Sequence, residues 1–460
     1  MRATLLGATA ALCGCALTPT AEPPPLVERI EALPAYVAER PGAPAVPVNG
    51  WWRALGGEPL DALVSELLDS SLALKEGRLQ VVQAQERAAQ ASGQRAPSVG
   101  YTVDRTRSRS QDFTGNLSWV ETYSAGFNVG FDTDVFGRLR ATERAAVLNA
   151  EAARYSYVAT EQLEIARLVG NWITALTLAN QLALAKDTAA IFAVTYDLTD
   201  KRYRAGSQTT SAGDVLIARQ TLDVALIDIP ELERQLGSQL LLIDEQLARL
   251  PGTTAAGFQV RPLPTAVAVP PLDRPLELLT SRPDVAAAEL RYRAALEDVG
   301  AARASLYPAL NLSGVLSWQD ESPSNFSWDD YVASLVSSLT GPIFQGGRLR
   351  SQVRAEQAEA AEIATAFART AHSAVIDVET ALVSIAGLTR QLERAQDAEK
   401  TARQSNDLIE FRYRQGLSSL LAVLETQRSL NSARQSRILS EQALANAQID
   451  LFLSLGGNWL

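Results

Sequence analysis

Apolar and polar residues alternate strictly from Tyr123 to Asp132. Tyr123, Ala125, Phe127, Val129 and Phe131 interleave with Ser124, Gly126, Asn128, Gly130 and Asp132. A period of two puts the large side chains on one face of a β-strand. Val99, Tyr101 and Val103 begin a similar run after Pro97, and a polar segment from Arg105 to Asn116 separates the two. A weaker copy follows later. Leu310, Leu312, Leu316 and Trp318, then Tyr331, Ala333, Leu335 and Leu339, predict two further strands around the polar turn Asp320 to Asp330, with Gly314 and Val315 breaking the alternation. The hairpins are expected at about 97–133 and 308–343.

The rest of the pattern is helical. No proline interrupts 137–201 or 347–411, so each predicts one helix about 100 Å long at ~1.5 Å per residue. Shorter helices are expected at 59–95, 213–249, 284–306 and 421–455. One short helix from each group, stacked end to end, would match a long one. The result would be a helical cylinder with a mixed belt at 31–58, 250–283 and 456–460.

The chain repeats itself. Arg202-Tyr203-Arg204-Ala205-Gly206 recurs as Arg412-Tyr413-Arg414-Gln415-Gly416, and Gly137-Arg138-Leu139-Arg140 as Gly347-Arg348-Leu349-Arg350. Both pairs lie at one offset, as a duplicated unit requires. The organisation is a leader at 1–14, an N-terminal tether and belt segment at 15–58, a first repeat at 59–252, a linker at 253–283, a second repeat at 284–456 and a tail at 457–460.

Two apolar-faced hairpins are hard to bury in alanine-rich helix, and an isolated hairpin is marginal in water. Strands of about ten residues, apolar outside and polar inside, suit a bilayer. Four strands close no useful barrel, so their open edges call for other copies of the chain.

Composition changes the picture at the N-terminus. Met1-Arg2, the apolar stretch from Ala3 to Leu12 and Gly14 before Cys15 form a secretory signal. Its end resembles the bacterial lipobox, which implies cleavage before Cys15 and a covalent lipid on that cysteine. Cys13 and Cys15 are the only cysteines, so the mature chain would hold no disulfide and no cysteine metal site. His372 stands alone in a helical pattern, and metal sites need several converging ligands. A net charge of −10, from 42 basic and 52 acidic residues, argues against nucleic acid. No apolar run after the signal approaches the ~20 residues of a membrane helix. Pro23-Pro24-Pro25 and Pro41-Gly42-Ala43-Pro44 suggest an extended tether. No nucleophile–base pair, phosphate loop or metal cluster emerges, so no enzyme and no cofactor beyond the lipid are expected.

Several segments resemble the TolC-like family of outer-membrane efflux ducts, in its lipoprotein branch serving drug and metal pumps. They are Trp51-Trp52, Phe131-Asp132-Thr133-Asp134-Val135-Phe136-Gly137-Arg138, Ser281-Arg282-Pro283-Asp284-Val285 and Gly341-Pro342-Ile343-Phe344-Gln345-Gly346-Gly347-Arg348. The resemblance implies an α+β membrane protein whose four strands join those of two other copies in a trimeric twelve-stranded barrel. A long periplasmic α-helical barrel with an equatorial belt would continue it. It also implies a periplasmic adaptor, an inner-membrane pump and contact with outer-membrane lipid. The role implied is a passive exit duct for small molecules. A duct for type I protein secretion uses the same architecture, and a lipid-anchored periplasmic spacer is the reading from another class.

In such ducts the periplasmic hairpin tips close the tunnel. The matching tips are 202–216 and 412–424, turning at Gly206 and Gly416. Tyr413 matches a family gate tyrosine, and Glu425 falls where an acidic residue faces the lumen. Tyr203 and Asp214 are the nearest counterparts in the first repeat. Ser418 and Ala422 depart from an arginine and a carboxylate found in some members, which implies a weaker or rearranged closing network.

Overall fold

The computed structural model describes residues 17–33, 36–37, 50–111, 115, 117–264 and 281–456. Cys15 and the tail 457–460 lie outside them. The described elements are, in chain order, α1 (Pro25–Glu31), α2 (Trp52–Ser70), α3 (Leu72–Gly93), β1 (Ser98–Gln111), β2 (Leu117–Asp132), α4 (Arg138–Arg204), α5 (Ala212–Gln246) and α6 (Thr253–Gly257). The second half supplies α7 (Pro283–Ala304), β3 (Ala309–Asp320), β4 (Val332–Thr340), α8 (Arg348–Arg414) and α9 (Leu420–Ser454). Both long helices have 67 residues and both return helices 35, so the duplication is exact at the level of helix length.

The chain divides into two compact units. One holds Gln80–Arg154 and Ala287–Arg369, with the described residues up to Pro24; the other holds Pro25–Leu79, Tyr155–Ala286 and Thr370 onward.

The first unit contains an antiparallel sheet in the order β1-β2-β3-β4, with β1 and β4 at its edges. The register puts Tyr101 beside Phe127 and Phe127 beside Leu316, so one face collects the apolar side chains. Many of them are open to the surroundings, among them Val99, Tyr101, Val103 and Leu335 at 71, 79, 73 and 84% exposed. The other face carries Ser98, Gly100, Thr102, Asn128, Gly126 and Ser124. The first hairpin has the expected bounds, but its strands are longer than the alternation suggests. β1 runs through Arg105 to Gln111 and β2 starts at Leu117, so the supposed polar turn is largely paired strand. Alternation is invisible there because arginine replaces the apolar residue. Likewise Gly314 and Val315 keep their ladder partners despite breaking the pattern.

Asp134 explains the Phe131–Arg138 motif. It is buried, and its carboxylate accepts from the backbone N–H groups of Leu139 and Arg140, both at 2.8 Å, capping the start of α4.

The main core lies in the second unit. Leu60, Val64 and Leu67 of α2 pack on Leu168, Trp172 and Ile173 of α4 and on Ile243 of α5. Trp51 stacks on Phe452, with ring centroids 5.1 Å apart. Burying one such aliphatic side chain contributes about 1.5–3 kcal/mol. The expected helix at 59–95 is two helices. Ser71 leaves helical geometry at ψ 127°, its N–H still bonded to Leu67 O, and its hydroxyl accepts from Leu74 N. A kink at Gly57 (φ 62°) sets Trp52 to Gly56 apart from the main helix, so Pro59 falls in a first turn, where it displaces no hydrogen bond.

The helices also correct the expectation of no long apolar run. Arg138–Arg204 and Arg348–Arg414 each contain a stretch apolar enough by length and composition to cross a membrane; 50 and 39% of those stretches are buried inside the protein. Alanines such as Ala175, Ala371 and Ala374 lie fully buried there, and their small size permits close helix approach.

Arg282 accounts for the Ser281–Val285 motif. Its guanidinium, mostly buried, bonds Asp284 at 2.7 Å, Asp377 at 3.3 Å and the carbonyl of Ser454 at 3.1 Å. It ties the start of α7 to α8 and to the end of α9 within the second unit.

Candidate functional site

The two helix-hairpin tips lie in the second unit and are built alike. At the end of α4, Ser207 N donates to Arg202 O and Gly206 N to Tyr203 O; at the end of α8, Leu417 N donates to Arg412 O and Gly416 N to Tyr413 O. This is the Schellman arrangement, and it needs a left-handed residue where Gly206 (φ 75°) and Gly416 (φ 76°) stand. The following helices start at Ser211 and Ser419, whose side chains accept from Asp214 N and Ala422 N. The first tip is two residues longer, five from Gly206 to Ser211 against three from Gly416 to Ser419.

The structure separates the sequence-chosen residues. Tyr413 is 7% exposed and packs with Phe192, Ala218, Leu420, Val423 and Leu424. Its hydroxyl lies 3.4 Å from Thr199 Oγ1. Tyr203, its repeat counterpart, is 46% exposed. Asp214 closes a capping box, accepting from Ser211 N and Ser211 Oγ at 2.8 Å each. Ala422 holds the same helix position in the second repeat and lacks that carboxylate. Glu425 is exposed on α9, one residue past buried Leu424. Among the described residues no side-chain hydrogen bond or ion pair joins Glu425 or Tyr203 to Tyr413.

Arg202 is the partner that sequence reading missed. Its guanidinium sits 4.7 Å from the Tyr413 ring centroid and donates to the carbonyls of Tyr413 and Arg414 at 3.4 Å. These carbonyls end α8, where a helix carries partial negative charge. Arg202 therefore clasps the first hairpin to the second. The duplication hid this role, because it draws Arg202 toward Arg412 and not toward Tyr413.

A polar ladder continues the clasp. Thr188 donates to Asn431 Oδ1 at 2.9 Å, Gln427 donates to Thr195 Oγ1 at 3.3 Å, and Arg428 donates to Thr221 Oγ1 at 3.0 Å. These contacts link α4 and α5 to α9. Between Gln181 and Gln435 the same three helices line an open groove of about 580 Å³.

Further along, Glu399 of α8 meets Arg437 of α9 at 2.5 Å, Arg403 at 2.7 Å and Arg434 at 3.7 Å, and Arg437 also holds Glu441. Burial pushes the Glu399 carboxyl up, but the hydrogen bonds and charges of Arg437 and Arg403 outweigh it and hold it below the ordinary glutamate value.

A profile described as outer membrane efflux protein matches residues 63–249 and 275–457, one segment on each repeat. The chain belongs to the outer membrane efflux protein family. The resemblance to TolC-like outer-membrane efflux ducts is thereby borne out. The chain is 31% identical over 425 residues to the pyoverdine export outer membrane protein OpmQ of Pseudomonas aeruginosa, covering 90% of this chain and 88% of the relative. It is 28% identical over 467 residues to nodulation protein T of Rhizobium leguminosarum, covering 97 and 92%. Among solved structures, the outer-membrane channel OprN aligns with a TM-score of 0.84 at 23% identity over 93% of this chain and 99% of that one. The Campylobacter jejuni CmeC channel aligns at 0.86 and 19% identity over 96 and 95%. Both structural likenesses are of fold.

Proposed function

We propose that three copies of this outer membrane efflux protein join their sheets edge to edge in the outer membrane and form a passive exit duct for small molecules. The observation that carries this reading is the sheet. One face is apolar and open, the other is polar, and both edge strands, β1 and β4, lack a strand partner among the described residues. Such a sheet is unstable alone in water, but it closes as a twelve-stranded barrel when β1 of each copy pairs with β4 of the next. The periplasmic helices then receive cargo from an adaptor and an inner-membrane pump. The relative named for pyoverdine export supports a small-molecule cargo over a secreted protein. A lipid on Cys15 adds a second hold on the membrane beside the barrel.

The tips act as the gate in this reading. Tyr413 holds the second hairpin closed through its packing and the Arg202 clasp, and Glu425, with no hydrogen-bond or ion-pair partner among the described residues, lines the passage. Native mass spectrometry of the full-length protein in detergent tests the assembly: three chains are expected, and a stable monomer overturns the proposal. Labelling with radioactive palmitate tests the anchor, with label expected on wild type and absent from Cys15→Ala.

A further inference from the structure

We propose that the arginine ladder on β1 is a binding surface for the phosphate groups of lipopolysaccharide in the outer leaflet. This rests on the barrel reading above but concerns a surface that conduction does not use.

The register places the ladder. On the apolar face the pairs run from Leu310–Leu339 up to Trp318, which faces Ala125, which in turn faces Val103. Leu310 to Trp318 spans eight residues, about 26 Å along a strand and ~20 Å along the membrane normal at a tilt of ~40°. A barrel's apolar band is ~25 Å tall, so it ends about one further step along the strand, at the level of Arg105. β1 continues past Val103 on the same face with Arg105, Arg107 and Arg109, beside Tyr123, Glu121 and Trp119. Each step adds about 5 Å of height at that tilt. The long helices leave the opposite end of every strand, so the ladder lies at the outer end. The second hairpin is shorter: β4 begins at Val332, level with Ser317. Arg107 and Arg109 therefore stand beyond the last ladder pair between the hairpins, Tyr123–Asp320.

The charges suit an anionic lipid. Among the described residues of the first hairpin, Glu121 is the carboxylate beside the ladder; it meets Arg105 at 3.1 Å and Arg107 at 3.3 Å. Asp320 shares the face two strands away and is held by Ser322 N and Asn325 Nδ2. Among the described residues Arg109 has no carboxylate partner. Its guanidinium lies 5.8 Å from the Trp119 ring centroid, and that of Arg107 lies 4.9 Å from it. The side chains of Arg105 and Arg107 are 59 and 58% exposed. A planar guanidinium binds phosphate through two parallel hydrogen bonds, and a ring beneath it orients the fork. Lipid phosphates sit just above the apolar band, where these forks are. Residues 309–347 contain no lysine or arginine, so the sheet's basic charge is gathered on the first hairpin.

The test uses the full-length wild-type protein in detergent, titrated with bisphosphorylated lipid A in mixed micelles and read by native mass spectrometry. Lipid A should bind the wild type at least tenfold more tightly than the Arg107→Gln/Arg109→Gln variant, or than the milder Arg109→Gln alone if the double variant assembles poorly. Dephosphorylated lipid A should bind both equally weakly, and conductance should not change. Equal binding of lipid A to wild type and variants overturns the proposal, as does wild type binding the dephosphorylated lipid as tightly as lipid A. Displacement by inorganic phosphate at equal concentration would assign the arginines to free phosphate. A lipid-free variant that falls apart while the wild type binds no lipid A would assign them to Asp329 and Asp330 of a neighbouring copy. Either outcome overturns the proposal. A wild type that neither trimerises nor conducts would count against the duct and not against the ladder.

Discussion

Replacing Arg202 with glutamine should open the tip. The guanidinium covers the Tyr413 ring at 4.7 Å and reaches two carbonyls at the end of α8. A half-buried cation over an aromatic face contributes about 1 kcal/mol. Hydrogen bonds from a charged donor contribute about 1.5–3 kcal/mol at good geometry, but at 3.4–3.5 Å these sit at the weak limit, so ~1 kcal/mol for the group is appropriate. The clasp then favours the closed tip by about 2 kcal/mol per copy, roughly a 30-fold change in the local equilibrium. Glutamine keeps a donor but loses the charge and the planar fork. Single-channel recordings in planar bilayers should show Arg202→Gln with higher mean conductance or open probability than wild type. Thermal unfolding should shift only slightly, because the apolar cluster around Tyr413 stays intact. Tyr413→Ala should give a larger conductance gain together with a measurable loss of stability, of order 3 kcal/mol, because it also removes a buried ring. Unchanged conductance in Arg202→Gln would refute the clasp.

Other perturbations follow from the same geometry. Glu425→Gln should lower cation preference in reversal-potential measurements, since a ring of carboxylates in a narrow passage attracts cations; an unchanged preference would place the selectivity elsewhere. Glu399→Gln should destabilise the second unit by about 3 kcal/mol, read as a lower melting temperature, because it strands partly buried arginines. The Glu399 carboxyl is held below its ordinary value, so its stabilisation is present above the unfolded pKa and is lost as pH falls through the lower folded value. Asp298 is the opposite case. Burial, then the charges of Glu356, Glu359 and Glu297, push it up to about 6 from 3.8. The folded chain binds the extra proton between those values, so its stability falls as pH rises from about 4 to 6. Asp298→Asn should flatten that slope in pH-dependent melting and stabilise at neutral pH by about 1.5 kcal/mol, half the full shift because the group is partly solvated.

The sequence pattern exposed what depends on period and length. Alternation around Phe127 located β2, and proline-free runs located α4 and α8 to within a few residues. Where both faces of a strand are polar, as at Arg105 to Gln111, alternation carries no signal, so the hairpin's bounds at about 97–133 were legible but the paired ends of its strands were not. Ser71 breaks a helix without proline or glycine, through a local cap that composition does not reveal. Repeat matching found both tips and their glycines. It also equated Tyr203 with Tyr413, yet one is exposed and the other buried. The pairing of Arg202 with Tyr413 is a contact between halves, and no local pattern in either half encodes it.

The duct claim is tested most directly by conductance of the purified protein in planar bilayers. The account predicts stepwise insertion events, small for wild type and larger for Tyr413→Ala, from a species that native mass spectrometry shows to be three chains. Insertion without any conductance in both proteins, or conductance from a single chain, would contradict it.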